Sequence, residues 1–320
     1  MTMKQLALVA GVSVATVSKA FSFSKEISKE QRERIFSIAK ENGCYDKYIK
    51  PYFGKKVIGV ICPEYDSDYY SQMLNCLKKE AQKHQSIIIT ACYDFDKDSQ
   101  NELVCYFTEC AKVDGLIMIG SFDYSKNVSI PTMTLGKSDN SDSISLSMKY
   151  AIDDAVEYLK ENGHKDIAFI GERLTELKSG LFAESMTKCG LSVNGDYVIQ
   201  NDERFEQAGY NAMNKLLALE NPPTAVIAAY DHIAIGAMRS IYEHGLSVPD
   251  DISIIGMDDT NVTSYLNVPL TSITSYLEDL CEIVMDTLFD RIENNVVGKI
   301  KKINVSTELV KRGSVAKVKR

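Results

Sequence analysis

The ten residues Ala10-Gly11-Val12-Ser13-Val14-Ala15-Thr16-Val17-Ser18-Lys19 constrain this chain more than any other stretch. They read as a helix end, a glycine turn and the capped start of a second short helix. Gly11 suits the left-handed backbone that ends one helix, a conformation costly for a residue with a Cβ. Ser13 is a favourable N-cap for the next helix. Beyond it, Val17 and Phe21 fall on one stripe, while Ala15, Ser18, Lys19 and Ser22 fall on the other. A short helix with one apolar side and one small, hydroxyl-rich, basic side suits insertion into a DNA major groove. It also suits a helix pair in an ordinary bundle, so the stretch alone leaves both readings open.

The flanks add weight to the first reading. Met1 to Ala10 is predicted to form a first helix with Met3, Leu6 and Val9 or Ala10 inward. Ser28-Lys29-Glu30-Gln31 carries the S-x-x-Q pattern of a capping box. A third helix then runs to about Asn42, burying Ile35, Ile38 and Ala39, and Gly43 closes it. Charge separates this segment from the rest of the chain. Residues 1–56 hold eleven Lys/Arg against five Asp/Glu, a net +6, whereas the 320-residue chain carries −8 and the remainder therefore −14. A basic head on an acidic body is expected when one end meets phosphate and the other does not.

Residues 1–53 resemble the DNA-binding head of the LacI/GalR (lactose repressor) family of bacterial transcription regulators, and the A-G-V-S-x-x-T-V-S-K run is a specific match. The body resembles the same family from Val57 to Ser314. The resemblance implies an all-α helix-turn-helix head on an α/β body of two Rossmann-like lobes, like a type I periplasmic binding protein. The function it implies is repression of transcription from pseudo-palindromic double-stranded operator DNA. A small-molecule effector, a sugar or sugar derivative, would control a homodimer.

Length and composition agree with that size of molecule. A chain of 320 residues exceeds one ordinary core and suggests two or three domains. At 45% hydrophobic and 25% charged residues it has a globular composition. No apolar run approaches the ~20 residues that span a bilayer, and the N-terminus lacks the apolar core of a secretory signal. Eight scattered cysteines without a C-x-x-C pair read as reduced thiols. The expected location is the cytoplasm.

From residue 57, short apolar runs alternate with amphipathic helices, the pattern of parallel sheets covered by helices. Strands are predicted at Val57–Cys62, Ser86–Cys92, Gly115–Ile119 and Thr132–Leu135, then at Asp166–Ile170, Tyr197–Ile199, Ala225–Ala229 and Ile252–Gly256. The expected division is a head over 1–46 and a hinge over 47–56. An N-terminal lobe takes 57–146 and 277–300, and a C-terminal lobe takes 147–276 and 301–315. The family likeness adds that three chain crossings join the lobes around a cleft.

Ligands of open α/β sheets sit beyond the carboxyl ends of the strands. That rule nominates Glu64 to Tyr70, Asp94, Tyr230, Asp231, Asp258 and Asp259. The resemblance implies that Asp258 accepts from a sugar hydroxyl, and that Tyr69 and Tyr70 flank the cleft mouth. It places Lys178 and Tyr230 where family members often carry Arg and Asn. Asp231 would equally serve as N-cap of the helix beginning there. In the head, the resemblance assigns base reading to Val14, Ala15 and Lys19, and positions near phosphate to Thr2, Ser13, Thr16, Ser18 and Ser28. Ser22 stands where an Asn is common. Phe53 aligns with a Leu that wedges the minor groove, and Phe is an accepted wedge. Pro51 in the same segment implies a shifted or partial hinge helix.

Enzymatic readings find little support. The sequence has no phosphate-binding glycine loop and no H-E-x-x-H pair, and His84, His164, His232 and His244 lack metal-ligand spacing. No catalytic residue, metal or cofactor is therefore expected. A solute-binding protein without a regulatory role is the alternative, and the basic head argues against it.

Overall fold

The computed structural model describes residues 1–53, 55–121, 128–294 and 299–319, the side chains of residues 50–53 excepted. The head holds four helices: α1 (Met3–Ala10), α2 (Val14–Phe21), α3 (Lys29–Glu41) and α4 (Tyr45–Phe53). Gly11 ends α1 at φ 64°, in the left-handed region that its missing side chain permits. Ser13 caps α2, its Oγ accepting from Thr16 N at 3.0 Å. Leu6, Ala7, Ala10, Val17, Ala20, Phe21, Ile35 and Ala39 form the core, closed by Cys44 and Tyr48 from the next segment. Val9, offered as an alternative inward residue, is exposed, and Ala10 is buried in its place.

The capping box forms at a different site from the one expected. Thr2 and Gln5 exchange both bonds, Gln5 N to Thr2 Oγ1 at 3.3 Å and Thr2 N to Gln5 Oε1 at 2.8 Å. Ser28 caps α3 through its hydroxyl, which accepts from Gln31 N at 3.2 Å. Residues 47–53, expected as a shifted or partial hinge helix, belong to a helix that already begins at Tyr45, because its first turn is part of the head core. Tyr48 packs 5.7 Å from Phe21, and its hydroxyl donates to Met1 O at 2.7 Å. The backbone continues helical through Pro51 to Phe53.

The body is a duplicated α/β unit. Its first five strands are β1 (Val57–Cys62), β2 (Ile87–Cys92), β3 (Gly115–Ile119), β4 (Thr132–Leu135) and β5 (Asp142–Ser147). The next five are β6 (Ile167–Glu172), β7 (Val198–Asn201), β8 (Ala225–Ala228), β9 (Ser253–Met257) and β10 (Thr271–Thr274). Two short strands close the chain, β11 (Lys302–Ser306) and β12 (Glu308–Val310). One sheet runs β2-β1-β3-β4-β5-β11 and the other β7-β6-β8-β9-β10-β12. Between them lie α5 (Asp68–Lys83), α6 (Lys97–Cys105), α7 (Lys149–Glu161), α8 (Glu176–Lys188), α9 (Phe205–Leu217), α10 (Asp231–Glu243) and α11 (Leu277–Asn294).

The chain passes between the lobes three times, after β5, after β10 and between β11 and β12. Helix α11 returns to the first lobe, where Leu280, Cys281, Val284, Met285 and Leu288 join the core beneath β1 and β3. One boundary needs correction. Residues 301–315 are expected in the second lobe, yet residues 302–306 form β11, which pairs in parallel with β5 of the first sheet, while β12 and Ser314 join the second. Asp142 explains the pairing: its Oδ1 accepts from Lys301 N at 2.7 Å, and both carboxylate oxygens meet Arg291 of α11. Strand β5 itself escaped the sequence reading. Its pattern, Asp-Ser-Ile-Ser-Leu-Ser, is too polar to resemble a buried strand.

The second lobe holds α9 and α10 in unusually close contact. A Cβ at Gly209 would lie 1.9 Å from Ile233 O, and one at Gly236 would lie 1.9 Å from Glu206 O. The backbones therefore touch directly. Because the loops entering these two helices carry Arg204 and Tyr230, their close packing sets how those side chains meet.

Candidate functional site: a recognition helix and a charged cleft

Helix α2 presents the face expected of a DNA reader. Val17, Ala20 and Phe21 point into the head core. Val14, Ala15, Lys19 and Ser22 are exposed, and Thr16 and Ser18 are half-buried. Val14 lies near the buried stripe by angle, yet it is 40% exposed because it opens the helix, where no preceding turn covers it. Ser22 donates to Lys19 O at 3.2 Å and ends the helix. Lys19 pairs with Glu26, both side chains being largely open to solvent. Thr2, Ser13 and Ser28 are all N-caps, so three helix N-termini carry hydroxyls beside free amides. Such ends attract phosphate through aligned N–H groups and the positive end of the helix dipole. The side chain of Phe53 lies outside the described residues.

The body contains a cavity of about 910 Å³ between its lobes. Residues beyond the carboxyl ends of strands in both sheets line it, as open α/β sheets require. Tyr69, Tyr70, Lys178, Tyr230 and Asp258 are all on its wall. Asp258, just beyond β9, stands at φ 98°, in the left-handed region that few residues with a side chain adopt. Its carboxylate lies 3.7 Å from the Lys178 ammonium, which also donates to Ala229 O at 2.6 Å. Burial raises the Asp258 pKa, while Lys178 and His232 oppose the shift. Burial likewise drives the Tyr69 and Tyr70 phenols well above their ordinary range, so both remain neutral donors.

Of the nominated residues, Tyr65, Asp66, Asp68, Asp94, Asp231 and Asp259 are absent from the wall, and Asp259 pairs with Arg312 instead. Asp94 sits exposed in a left-handed turn at φ 48°, and its neighbours Tyr93 and Phe95 line the cavity instead. Asp231 is fully buried and is absent from the cavity wall. It also does not cap α10: Tyr230 holds that position, and Asp231 accepts from Thr260 and Ser272. Asp94 and Asp231 share a cause. Side chains alternate about a strand end, so only one of two neighbours can face the ligand.

A charged triad completes the wall. Arg204 donates to Glu64 through Nη1 at 2.5 Å and Nη2 at 2.8 Å, and its Nε reaches Glu172 at 3.1 and 3.2 Å. Its guanidinium carbon lies 5.4 Å from the Phe95 ring centre and 4.6 Å from that of Phe205. The hydrogen bonds to Glu64 lead in holding it charged. Tyr230 donates to Glu172 at 3.1 Å and accepts from Phe205 N at 3.0 Å. Glu64 belonged to a nominated segment. Arg204 and Glu172 did not, because residues 140 and 32 positions apart meet only through the fold.

Two family models match the chain: bacterial regulatory proteins of the lacI family over residues 2–45, and the periplasmic binding protein-like domain over residues 156–315. The HTH-type transcriptional repressor CytR of Escherichia coli K12 is 30% identical over 334 residues, spanning 98% of this chain and 96% of that protein. The chain belongs to the LacI/GalR family. It is a ligand-controlled transcriptional repressor, with a helix-turn-helix head and a periplasmic-binding-protein-like core. Its fold is similar to that of a chain from the crystal structure of the lac repressor dimer bound to operator and the anti-inducer ONPF. That likeness has a TM-score of 0.74 at 24% identity and covers 99% of both chains. A LacI family regulator from Enterococcus faecium with bound ribose gives 0.72 at 24% identity, covering 82% of this chain and all of that one. Among the described residues no helix is long and apolar enough to cross a membrane, and no cluster of His, Cys, Asp and Glu could hold a metal.

Proposed function

We propose that this LacI-family regulator binds a pseudo-palindromic operator as a homodimer, and that a sugar or sugar derivative in the interlobe cleft sets its affinity. The observation that carries the reading is the cleft wall itself. Planar charged groups (Glu64, Glu172, Arg204, Asp258) stand among tyrosines, and both Arg204 and Lys178 already have carboxylate partners. Such a surface offers donors and acceptors to hydroxyls, and aromatic faces to the C–H side of a sugar ring, without an unpaired charge at its centre. Asp258 and Lys178 are assigned to the effector with Tyr69, Tyr70 and Tyr230. Lys178 contributes a mobile point charge where an Arg would contribute a rigid fork.

In the head, Val14, Ala15 and Lys19 are assigned to base edges, with Ser22 beside them. Thr2, Ser13, Thr16, Ser18 and Ser28 are assigned to phosphates, and Phe53 to the minor groove. A single head makes too few contacts, since non-specific binding of such modules is typically ~10⁻⁴–10⁻⁶ M. Two heads on a two-fold dimer read two half-sites. Effector binding then moves operator affinity by a coupling free energy of about 1–3 kcal/mol. Gel shift against genomic fragments across a salt series, with and without residues 1–53, tests the first half. Expected is salt-sensitive, sequence-selective retention that disappears with the head. A sugar and sugar-phosphate screen against the retained fragment tests the second, and retention unaltered by every compound would refute it.

A further inference from the structure

Among the described residues on the cleft wall, Arg204 is the cation that touches both lobes. Glu64 lies just beyond β1 of the first lobe, whereas Arg204 and Glu172 belong to the second. The aromatic flanks divide in the same way, Phe95 from the first lobe and Phe205 from the second. Glu64 and Glu172 are 7% and 3% exposed, so both carboxylates are largely buried in the cavity wall with the guanidinium between them. Within the second lobe, Glu172 and Tyr230 hold the arginine in place. Its fork then reaches across to Glu64 with two parallel bonds, the strongest geometry available to this pair. Nearby contacts join the same parts. Asp68 of α5 lies 3.7 Å from His232 of α10, and Asn261 N donates to Gln72 Oε1 at 3.4 Å.

We propose that Arg204 is a positioning residue that latches the two lobes together in the absence of effector. A bridge made by the protein's own side chains biases the lobes toward the arrangement in which it forms, whether or not a ligand is bound. Here a side chain of the protein supplies the bridge. The effector therefore meets a cleft whose corner at Glu64 is already shut, and its differential affinity is measured against that latched state. The inference rests on the reading of the cleft as the effector site.

The test uses the full-length protein with neither sugar nor DNA, so a failed sugar screen does not affect it. Small-angle scattering would give the radius of gyration, and amide hydrogen exchange would report on residues 63–72 and 201–207. Arg204→Ala and Glu64→Ala are each expected to enlarge the particle and speed exchange in both segments. The double variant should go no further than either single one, because both cut the same bridge. Glu172→Ala, which cuts only the arm within the second lobe, should have the smaller effect. Melting curves establish that each variant is folded. Should a truncation not fold, Arg204→Lys serves, since it keeps the charge and loses the fork; the same opening is expected. Wild-type dimensions and exchange in folded Arg204→Ala or Arg204→Lys would overturn the latch. Additive effects of the Arg204→Ala and Glu64→Ala changes would also overturn it.

Discussion

The Asp231 carboxylate accepts from Thr260 twice, from the backbone amide at 2.7 Å and from the side-chain hydroxyl at 2.9 Å, while Ser272 Oγ donates to its other oxygen at 2.6 Å. Asp258 and Asp259, just before Thr260, stand at φ 98° and 51°, which disfavours any residue with a side chain. The buried carboxylate therefore anchors a strained turn from beneath. Asp258 reaches the cavity because of that anchor, and Asp259 turns aside to pair with Arg312 at 2.7 Å.

Removing the anchor should cost both stability and ligand binding. Asp231→Ala orphans three donors that water cannot reach, a loss of at least about 1–3 kcal/mol. Urea denaturation measures the first effect. The second would appear as weakened effector binding in a variant that still binds operator, since the head is untouched.

The same residue predicts a pH dependence. Burial, with the Asp258 charge close by, pushes the Asp231 carboxyl up to about 7, against the pull of its three donors. The ordinary value for an aspartate, which the unfolded chain is taken to have, is 3.8. The folded protein thus retains the proton longer, and stability falls as pH rises from about 4 to about 7, then levels off. The full change is on the order of a few kcal/mol. Asp231→Asn cannot titrate, so wild-type stability measured relative to it should decline across that window. A constant difference from pH 5 to pH 8 would contradict the assignment.

Lys19 and Glu26 give a prediction for DNA. An ion pair exposed on both sides contributes about 0–1 kcal/mol, so DNA can take the ammonium from Glu26 at little cost. Lys19→Ala should lose about 1–3 kcal/mol of binding and relax selection at one base pair. Glu26→Gln frees the ammonium and should strengthen low-salt binding by at most about fivefold. Binding isotherms over single-base operator variants distinguish this base contact from a phosphate contact, which would weaken all sequences alike.

Packing between α9 and α10 is testable with one methyl group. Gly236→Ala places a Cβ against Glu206 O with no room, so the helices must separate. Overpacking of this kind typically costs about 1–3 kcal/mol. Because the loops before these helices bring Arg204 to Tyr230, the variant should also weaken closure, read by the same exchange experiment as the latch.

Local pattern carried much of this protein. The left-handed Gly11, the Ser13 cap and the stripe of Val17 and Phe21 are set by neighbours within a few residues, so they were legible without a fold. The apolar runs that became β1, β3, β6 and β9 were legible for the same reason: strands buried on both faces must be continuously hydrophobic. The rule that ligands lie beyond strand ends pointed to Tyr69, Tyr70, Tyr230 and Asp258 on the wall.

Elsewhere the sequence was silent, because the deciding contacts join distant residues. The polar β5 is a strand because β4 and β11 pair with it on either side and Arg291 neutralises Asp142. Which of the adjacent Asp258 and Asp259 faces the cleft depends on the turn that the rest of the lobe imposes, and Asp231 lies in the core because Thr260 and Ser272 meet it there. Arg204 looked like any loop arginine. Only the approach of two lobes places Glu64 and Glu172 around it, since a bidentate ion pair depends on position in space and leaves no periodic trace along the chain.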